Sequence, residues 1–475
     1  MRSLLGSLFY TIRMTTAVPI NNALVQSWKS LDQSWRFAML TFLAIRVFYA
    51  LWSSAILTIQ PLAIQNIVLS GEPILTVFNL QTSQAYTYVR QVHGQVLTFH
   101  AVSPSTIADL QTGSIWDISS AVALQGKYQG SKLSPSKTVP SEIYPYHRTK
   151  PYPIGWLAIW QRFDANWYTS VAEYGYGTIG GDDHFPPLFP VLIRSLTPLF
   201  GSAFLAGLLI SHLATLFVIK LLYDTFYEWG GDALAKRSVL FFLIYPTSFF
   251  LFSVYTESVF LVAALLCLQS MRKSSWAWAG FWAFCAIITR LQGVALIIPM
   301  IYLMWRTHEF LRKSAHWFGL SLAGMGGLFY LFLRSTQVTN GVVPLVESDW
   351  HAHLVPPWET YWYAIQTLAS GQFTFIDLFN WAVVTLFILL LVAGWRKIPL
   401  EYNLYSAFSL LIILIRIVET QPLISASRYS LTLFPSFIFF GLAAENPWLR
   451  RAIIYTFIPL NLYLSAQFFL WGWVA

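Results

Sequence analysis

Long apolar runs separated by short charged loops limit most strongly what this chain can fold into. A helix needs roughly 20 apolar residues to cross the ~30 Å hydrocarbon core of a bilayer, and about eleven runs near that length occur in the sequence. The candidate spans are 38–59, 203–222, 239–254, 258–268, 277–289, 293–305, 317–333, 381–395, 404–418, 429–444 and 452–471. The pattern predicts an all-α polytopic membrane protein with about eleven transmembrane helices.

The composition favours a chain solvated by lipid rather than by water. Hydrophobic residues make up 56% of the 475 residues and charged residues only 11%, which is typical of membrane proteins. The net charge is +8, but Lys and Arg lie in short clusters between apolar runs, so we expect no nucleic-acid partner. Cys267 and Cys285 lie inside apolar runs, where we expect packing roles and neither a disulfide framework nor a thiolate metal site.

Basic residues at alternate loops predict the orientation of the chain. Clusters such as Arg272/Lys273 and Arg396/Lys397 mark the cytoplasmic side, whereas segment 335–378 has no Lys or Arg and is predicted to lie outside. This orientation requires that the Pro-rich run 186–200 does not cross the bilayer. We expect an interfacial or re-entrant piece there, because its prolines should interrupt a regular helix.

A long polar segment, 60–185, separates the first two spans and is predicted to lie outside the membrane. Its stretch 76–102 is rich in β-branched and aromatic residues and contains a His93-Gly94 turn signal, which predicts one or two hairpins. We see no removable signal peptide at the start of the chain. The predicted organisation is a cytoplasmic segment 1–37, a first transmembrane helix 38–59, a small β-containing extracytoplasmic insert 60–154, interfacial helices with a re-entrant segment 155–202, and a helical bundle 203–475.

The stretch 155–177 carries the strongest candidate for chemistry. Aromatic and aliphatic residues recur there at helical spacing, which predicts one amphipathic helix in the outer interface, with Asp164 on the same face as Trp160 and Trp167. An acid held against apolar rings loses solvation and becomes a better proton acceptor. The alternative is that Asp164 pairs with Arg162 or caps a turn.

A second group of polar residues lies where the chain re-enters the apolar region. Asp182, Asp183 and His184 could bind a divalent cation, could form a solvated turn, or could contribute a histidine that contacts a phosphate or sugar. Residues His351 and His353 could ligate metal from one side of a strand, but neither a cysteine nor a third histidine lies nearby. We therefore prefer substrate contacts for that pair.

Three ionisable residues lie at predicted outer ends of spans. Glu257 follows Tyr255 at a break between spans, where a carboxylate is costly without a partner, and its alternative is a helix N-cap role. Arg290 and Arg428 run against the positive-inside pattern. A guanidinium there suits a phosphate group, and the alternative is that both reach lipid headgroups.

Four motifs in order resemble a known family. They are RFDANWYTSVAEYGYG, HFPPLFP, YPTSFFLFSVYTES and TRLQG. This set resembles the GPI mannosyltransferase II (PIG-V-like) family and its bacterial relatives, within the GT-C glycosyltransferase superfamily. The similarity covers roughly residues 156–299 and extends weakly to DWHAH, PPW and SRYSLTLFP further along the chain.

The resemblance implies a GT-C fold, a polyprenyl-phosphate sugar donor like dolichyl-phosphate-mannose, and inversion at the anomeric carbon. On that pattern Asp164 matches the family's acid. Our candidates for binding the donor phosphate or the substrate are Arg162, His184, Tyr255, Glu257, Arg290, His351, His353 and Arg428, and Asp182 and Asp183 are possible second acids. We expect no metal cofactor, because a monophosphate leaving group held by arginines need not have one. The rival predictions are a flippase or transporter of lipid-linked sugars and an inactive scaffold in glycan assembly.

The absence of an Asn-x-Ser/Thr acceptor indicates where the protein resides. It favours a bacterial plasma membrane with the site outside over an endoplasmic reticulum membrane with a lumenal site. The expected partners are the lipid-linked donor, a lipid or glycan acceptor, and membrane lipids.

Overall fold

The computed structural model of the protein describes residues 31–69, 71–82, 84–136, 149–178, 184–306, 314–337, 352–418 and 422–474. The described helices are α1 (Gln33–Ile59), α2 (Gly155–Ala158), α3 (Asp164–Tyr174), α4 (Leu188–Phe200), α5 (Ala203–Leu243), α6 (Glu257–Arg272), α7 (Trp276–Ile287), α8 (Ile297–Arg306), α9 (Ser314–Gln337), α10 (Pro357–Ala369), α11 (Phe375–Gly394), α12 (Leu400–Leu414), α13 (Ala426–Tyr429), α14 (Phe437–Ala443) and α15 (Pro447–Phe469). Short 3-10 segments occur at Ser248–Phe252, Leu291–Leu296 and Ser430–Ser436.

Strands are concentrated between α1 and α2. They are β1 (Leu62–Leu69), β2 (Glu72–Asn79), β3 (Gln84–Val89), β4 (Gln91–Val92), β5 (Gln95–Val96), β6 (Phe99–Ser103), β7 (Thr106–Asp109), β8 (Ile115–Asp117), β9 (Ala123–Gln125) and β10 (Ser134–Pro135). They form two four-stranded antiparallel sheets, ordered β1-β2-β3-β10 and β6-β7-β8-β9, and the β4–β5 hairpin. A further pair, β11 (Ala352–Leu354) and β12 (Arg416–Val418), lies within the helical part.

Five of the described helices are long and apolar enough to cross a membrane. They are Gln33–Ile59, Ala203–Leu243, Ser314–Leu333 within α9, Phe375–Gly394 and Pro447–Phe469. Four further apolar helical segments among the described residues are shorter. These helices support an integral membrane protein, and the number of about eleven complete spans stays a prediction. Helix α5 merges the predicted second and third spans across a kink, because Gly230 and Gly231 depart from helical backbone angles.

The segment 62–135, which we call the β insert, has a core of its own and is also anchored to the helices. Leu75, Val77 and Trp116 belong to the insert core. Phe78, on the same strand as Leu75, packs instead against Trp471 near the end of the chain, with ring centroids 6.1 Å apart. Strand β2 is therefore buried on both faces and joins the insert to the helical core.

Two predicted helices differ from those in the structure. The stretch 155–177 is not one amphipathic helix, because α2 ends at Ala158 and α3 starts at Asp164. Residues 165–172 are all buried, so α3 packs inside the protein rather than lying half-exposed in an interface. The Pro-rich run forms a regular 13-residue helix, α4.

The positions of the prolines in α4 are compatible with a helix. Pro190 lies in the first turn, where backbone N–H groups have no partner within the helix, and Pro198 lies in the last turn. The helix ends at Gly201, whose φ of 63° is left-handed. At 1.5 Å per residue α4 is about 20 Å long, which is too short to cross the bilayer core.

Candidate active site

A sharp backbone turn at Phe163 determines where α3 starts. Phe163 has φ 48° and ψ −118°, values that a residue other than glycine adopts at a cost on the order of 1–3 kcal/mol. Its ring packs edge-on against Trp471 and Trp473, with centroids 5.4 and 5.2 Å away. This packing holds the strained residue and makes Asp164 the first residue of the helix.

Asp164 forms an ion pair with Arg428. Nη1 of Arg428 donates to Oδ2 of Asp164 over 2.6 Å, and the two side chains are 7% and 17% exposed. Oδ1 of Asp164 accepts no hydrogen bond from the residues that the structure describes, and Asp164 lines a cavity. One carboxylate oxygen therefore binds the arginine while the other can meet a ligand.

Arg162 lies elsewhere, although it is only two residues from Asp164. Its buried guanidinium donates to the carbonyls of Ala158 and Phe469 over 2.8 and 3.0 Å, and it lies 4.7 Å from the ring centroid of Trp471. The predicted alternative of a pair with Asp164 is therefore wrong. Nor does Arg162 line the cavity; it ties the start of α3 to the end of α15.

Glu257 lies between the two predicted phosphate-binding arginines. Its Oε1 accepts a hydrogen bond from Nη1 of Arg290 over 2.5 Å and is 3.3 Å from Nε of Arg428, close enough for an ion pair although outside hydrogen-bond geometry. Glu257 is 1% exposed and both arginines 7%. The arginines are thus held inside the protein, so the alternative that they reach headgroups is wrong.

Aromatic rings flank the two guanidiniums. Arg290 and Arg428 lie 4.8 and 5.0 Å from the ring centroid of Tyr429, on which both can make cation–π contacts. Arg428 also lies 5.3 Å from the ring of Tyr255. The rings restrict where each guanidinium can move, which keeps its N–H groups directed at a small set of positions.

Asp164, Arg290, Arg428 and Tyr429 border a cavity of about 230 Å³. The charged and polar residues of its lining include Asp164, Tyr168, His184, Thr256, Thr289, Arg290, Gln292, Arg416, Arg428 and Tyr429, and the apolar residues include Leu291, Leu354, Ile412, Ile413, Ile415, Val418 and Leu423. A lining that combines cationic and apolar side chains suits an amphiphile with an anionic headgroup.

The structure places some of the other predicted site residues and does not describe the rest. His184 lines the cavity, and the hydroxyl of Tyr255 donates to the carbonyl of Arg162 over 3.3 Å. Asp182, Asp183 and His351 lie outside the described residues. His353 is placed only by its backbone, in β11 opposite Ile417.

Arg416 and Tyr429 are among the cavity residues that the sequence reasoning missed. Arg416 was assigned to the interior of a predicted span, but helix α12 ends at Leu414 and Arg416 begins β12. A charge near the outer end of an apolar run was the signal that could have identified it. Tyr429 carried no signal, because an aromatic residue at a membrane-helix end is ordinarily an interface residue.

No group of three or more His, Cys, Asp or Glu side chains suited to a metal ion occurs in the part of the chain that the structure describes. Both cysteines are buried and free, as expected for packing residues.

Comparison with known proteins shows a distant structural likeness. No protein-family model matches the chain, and no curated protein matches it. Among solved structures it is similar to "ArnT from Cupriavidus metallidurans bound to Undecaprenyl phosphate", at 12% identity and a TM-score of 0.38, covering 62% of this chain and 67% of that one. At that TM-score we infer neither fold nor activity from the likeness.

Proposed function

We propose that this protein is a membrane-embedded GT-C glycosyltransferase that moves a hexose from a polyprenyl-phosphate donor to a lipid or glycan acceptor. Mannose is our first candidate for the sugar, on the basis of the PIG-V-like motifs. The observation that carries the proposal is the Asp164–Arg428 ion pair at the wall of a cavity that also holds Arg290. A proton acceptor beside phosphate-binding groups is what such a transfer requires.

The reaction is a single displacement. The acceptor hydroxyl gives its proton to Oδ1 of Asp164 while its oxygen bonds to the anomeric carbon of the sugar. The bond from that carbon to the phosphate oxygen breaks, and its electron pair leaves with polyprenyl phosphate. Attack opposite the leaving group inverts the anomeric configuration.

In the proposed reaction Arg428 binds Asp164 before the donor arrives and the donor phosphate afterwards. Without donor it binds Oδ2 of Asp164 at 2.6 Å. A donor phosphate that engages Arg428 competes with Asp164 for this guanidinium and leaves the carboxylate free to meet the acceptor hydroxyl. As the phosphate leaves it gains negative charge, which Arg290, Arg428 and His184 stabilise.

We propose that no metal ion takes part, because arginine guanidiniums can hold the leaving monophosphate. A chelator should leave the transfer rate unchanged. Loss of activity on chelation, with recovery on adding a divalent cation, would overturn this point.

We place the site on the extracytoplasmic side of a bacterial plasma membrane, with the lumenal face of the endoplasmic reticulum as the alternative. Loops rich in Lys and Arg alternate with loops that have few, and segment 335–378 has no Lys or Arg at all, which supports this orientation. Accessibility of an engineered cysteine at Ser335 to an impermeant reagent in intact cells tests it.

A flippase of lipid-linked sugars is the second candidate, because it too needs buried arginines and a polar cavity. An inactive scaffold is the third. Transport and scaffolding do not require a proton acceptor, so both tolerate Asp164→Asn, whereas sugar transfer does not.

The test is transfer of labelled mannose from synthetic polyprenyl-phosphate-mannose by the full chain in nanodiscs, with a panel of glycolipid acceptors. We expect Asp164→Asn to reduce the rate about 10²-fold or more. Glu173→Gln is the matched control, because Glu173 is an exposed carboxylate on the same helix. Donor binding without transfer to any acceptor would favour the flippase or scaffold, and equal rates for wild type and Asp164→Asn would overturn the role of Asp164.

A further inference from the structure

Arg416 is a third cavity arginine that no motif of the proposed transferase includes. It follows the end of α12, and β12 pairs with β11 so that Arg416 lies opposite Leu354. Its neighbours Ile417 and Val418 are buried, whereas Arg416 itself is half-buried and lines the cavity. The strand pair thus fixes the backbone of a residue whose side chain reaches the same space as Arg290 and Arg428.

Arg416 differs from the other two arginines in its partners. Arg290 and Arg428 each bind a carboxylate, whereas Arg416 forms no ion pair with any residue in the described ranges. A half-buried guanidinium without a counter-charge has given up part of its hydration without compensation. An anionic ligand in the cavity would supply that compensation.

The three guanidiniums border the same cavity as the phenol ring of Tyr429. Arg290 and Arg428 lie 4.8 and 5.0 Å from the centroid of that ring. The cavity beside Tyr429 is therefore a favourable position for an anion.

Among the residues that the structure describes, the charged side chains of this site are unbalanced by one. Three guanidiniums line the cavity together with the carboxylate of Asp164, and a second carboxylate, that of Glu257, contacts Arg290 and Arg428 without lining the cavity. A phosphodiester headgroup carries one negative charge and neutralises the excess. During transfer Asp164 takes up a proton as the leaving phosphate becomes a monoester, so neutrality is preserved and a third cation is still needed.

We propose that Arg416 is a phosphate-binding residue for the isoprenoid phosphate headgroup, acting beside Arg290 and Arg428 at Tyr429. The inference deepens the proposed function and depends on it for the identity of the ligand. Arg416 binds the headgroup in the donor and in the polyprenyl phosphate that remains after transfer. Its side chain is more exposed than those of Arg290 and Arg428, which are buried.

Binding of farnesyl phosphate, a short isoprenoid monophosphate, to the full chain in nanodiscs tests the proposal without any sugar transfer. We expect Arg416→Gln to raise Kd about ten-fold or more, the loss of one charge-assisted hydrogen bond. Arg416→Lys should restore part of the affinity, since lysine keeps the charge but not the planar fork. Arg396→Gln is the matched control, because Arg396 is exposed in the turn between α11 and α12 and does not line the cavity.

A measurement on the wild type covers the case in which the variants do not fold. Phenylglyoxal modifies accessible arginines, and we expect farnesyl phosphate to slow modification of Arg416 but not of Arg396, read by mass spectrometry. An unchanged Kd in a folded Arg416→Gln variant, or equal modification of Arg416 with and without ligand, would overturn the proposal. Binding that depends on Arg416, without transfer of a hexose from any of several polyprenyl-phosphate sugars, would instead contradict the proposed transferase while leaving this site in place.

Discussion

Nη1 of Arg428 lies 2.6 Å from Oδ2 of Asp164, although 264 positions separate the two residues in sequence. Arg428 also approaches Glu257, which binds Arg290. Four ionisable side chains from the starts of α3 and α6, from α13 and from the turn after α7 therefore form one connected chain of opposite charges. Each member depends on its neighbours, because a buried charge without a partner is costly.

The Asp164–Arg428 pair should show energetic coupling. We expect Asp164→Asn and Arg428→Gln each to lower the melting temperature, since removing one partner of a buried pair costs up to about 3–5 kcal/mol. The double variant should lose less than the sum of the two single losses. Melting of all four proteins in the same nanodiscs measures this, and additive losses would show that the pair contributes no coupling.

Glu257→Gln should destabilise the protein more than a comparable change elsewhere. The substitution removes the carboxylate that binds Arg290 and leaves Arg428 with Asp164 as its ion-pair partner among the described residues. Glu401→Gln is the matched control, because Glu401 is also buried but contacts a single arginine, Arg272, at 3.5 Å. We expect a lower melting temperature and weaker donor binding for Glu257→Gln, and the idea fails if Glu401→Gln has the larger effect on both.

Close contact between α7 and α9 requires glycine. A Cβ at Gly319 would lie 2.3 Å from the carbonyl oxygen of Trp276, whereas a Cβ at Gly324 would meet no atom within 4 Å. Gly319→Ala should therefore push the helices apart and lower the melting temperature. Gly324→Ala should be neutral or slightly stabilising, since alanine favours a helix by about 0.5–1 kcal/mol over glycine. Equal melting of the two variants would mean that this contact is not tight.

Asp109 should stabilise the β insert. It is fully buried and accepts hydrogen bonds from the backbone N–H of Thr112 over 2.6 Å and from Nε1 of Trp116 over 3.1 Å. Asp109→Ala leaves both donors unpaired, at about 1–3 kcal/mol each, and Asp109→Asn keeps one acceptor oxygen. Amide hydrogen exchange in the full chain should accelerate in β7 and β8 most for Ala and less for Asn; unchanged exchange in both would argue against this role.

Sequence patterns predicted which segments are helical better than they predicted where each helix begins and ends. Every predicted span coincides with helix over at least part of its length, because burial in lipid or protein requires apolar residues and internally satisfied backbone groups. The break before Asp164 escaped prediction because it depends on Phe163 packing against Trp471 and Trp473, which lie at the far end of the chain. A local pattern contains no information about such a contact.

The sequence by itself determined that the chain is apolar and helical, and it singled out Asp164, Glu257, Arg290 and Arg428, because an ionisable residue beside an apolar run is conspicuous wherever it occurs. Only the tertiary structure decided how they pair. In the folded protein Arg162 donates to backbone carbonyls, Asp164 pairs with Arg428, and Arg416 lines the cavity. Ion pairing depends on distances of a few ångströms between segments hundreds of residues apart, and packing alone sets those distances.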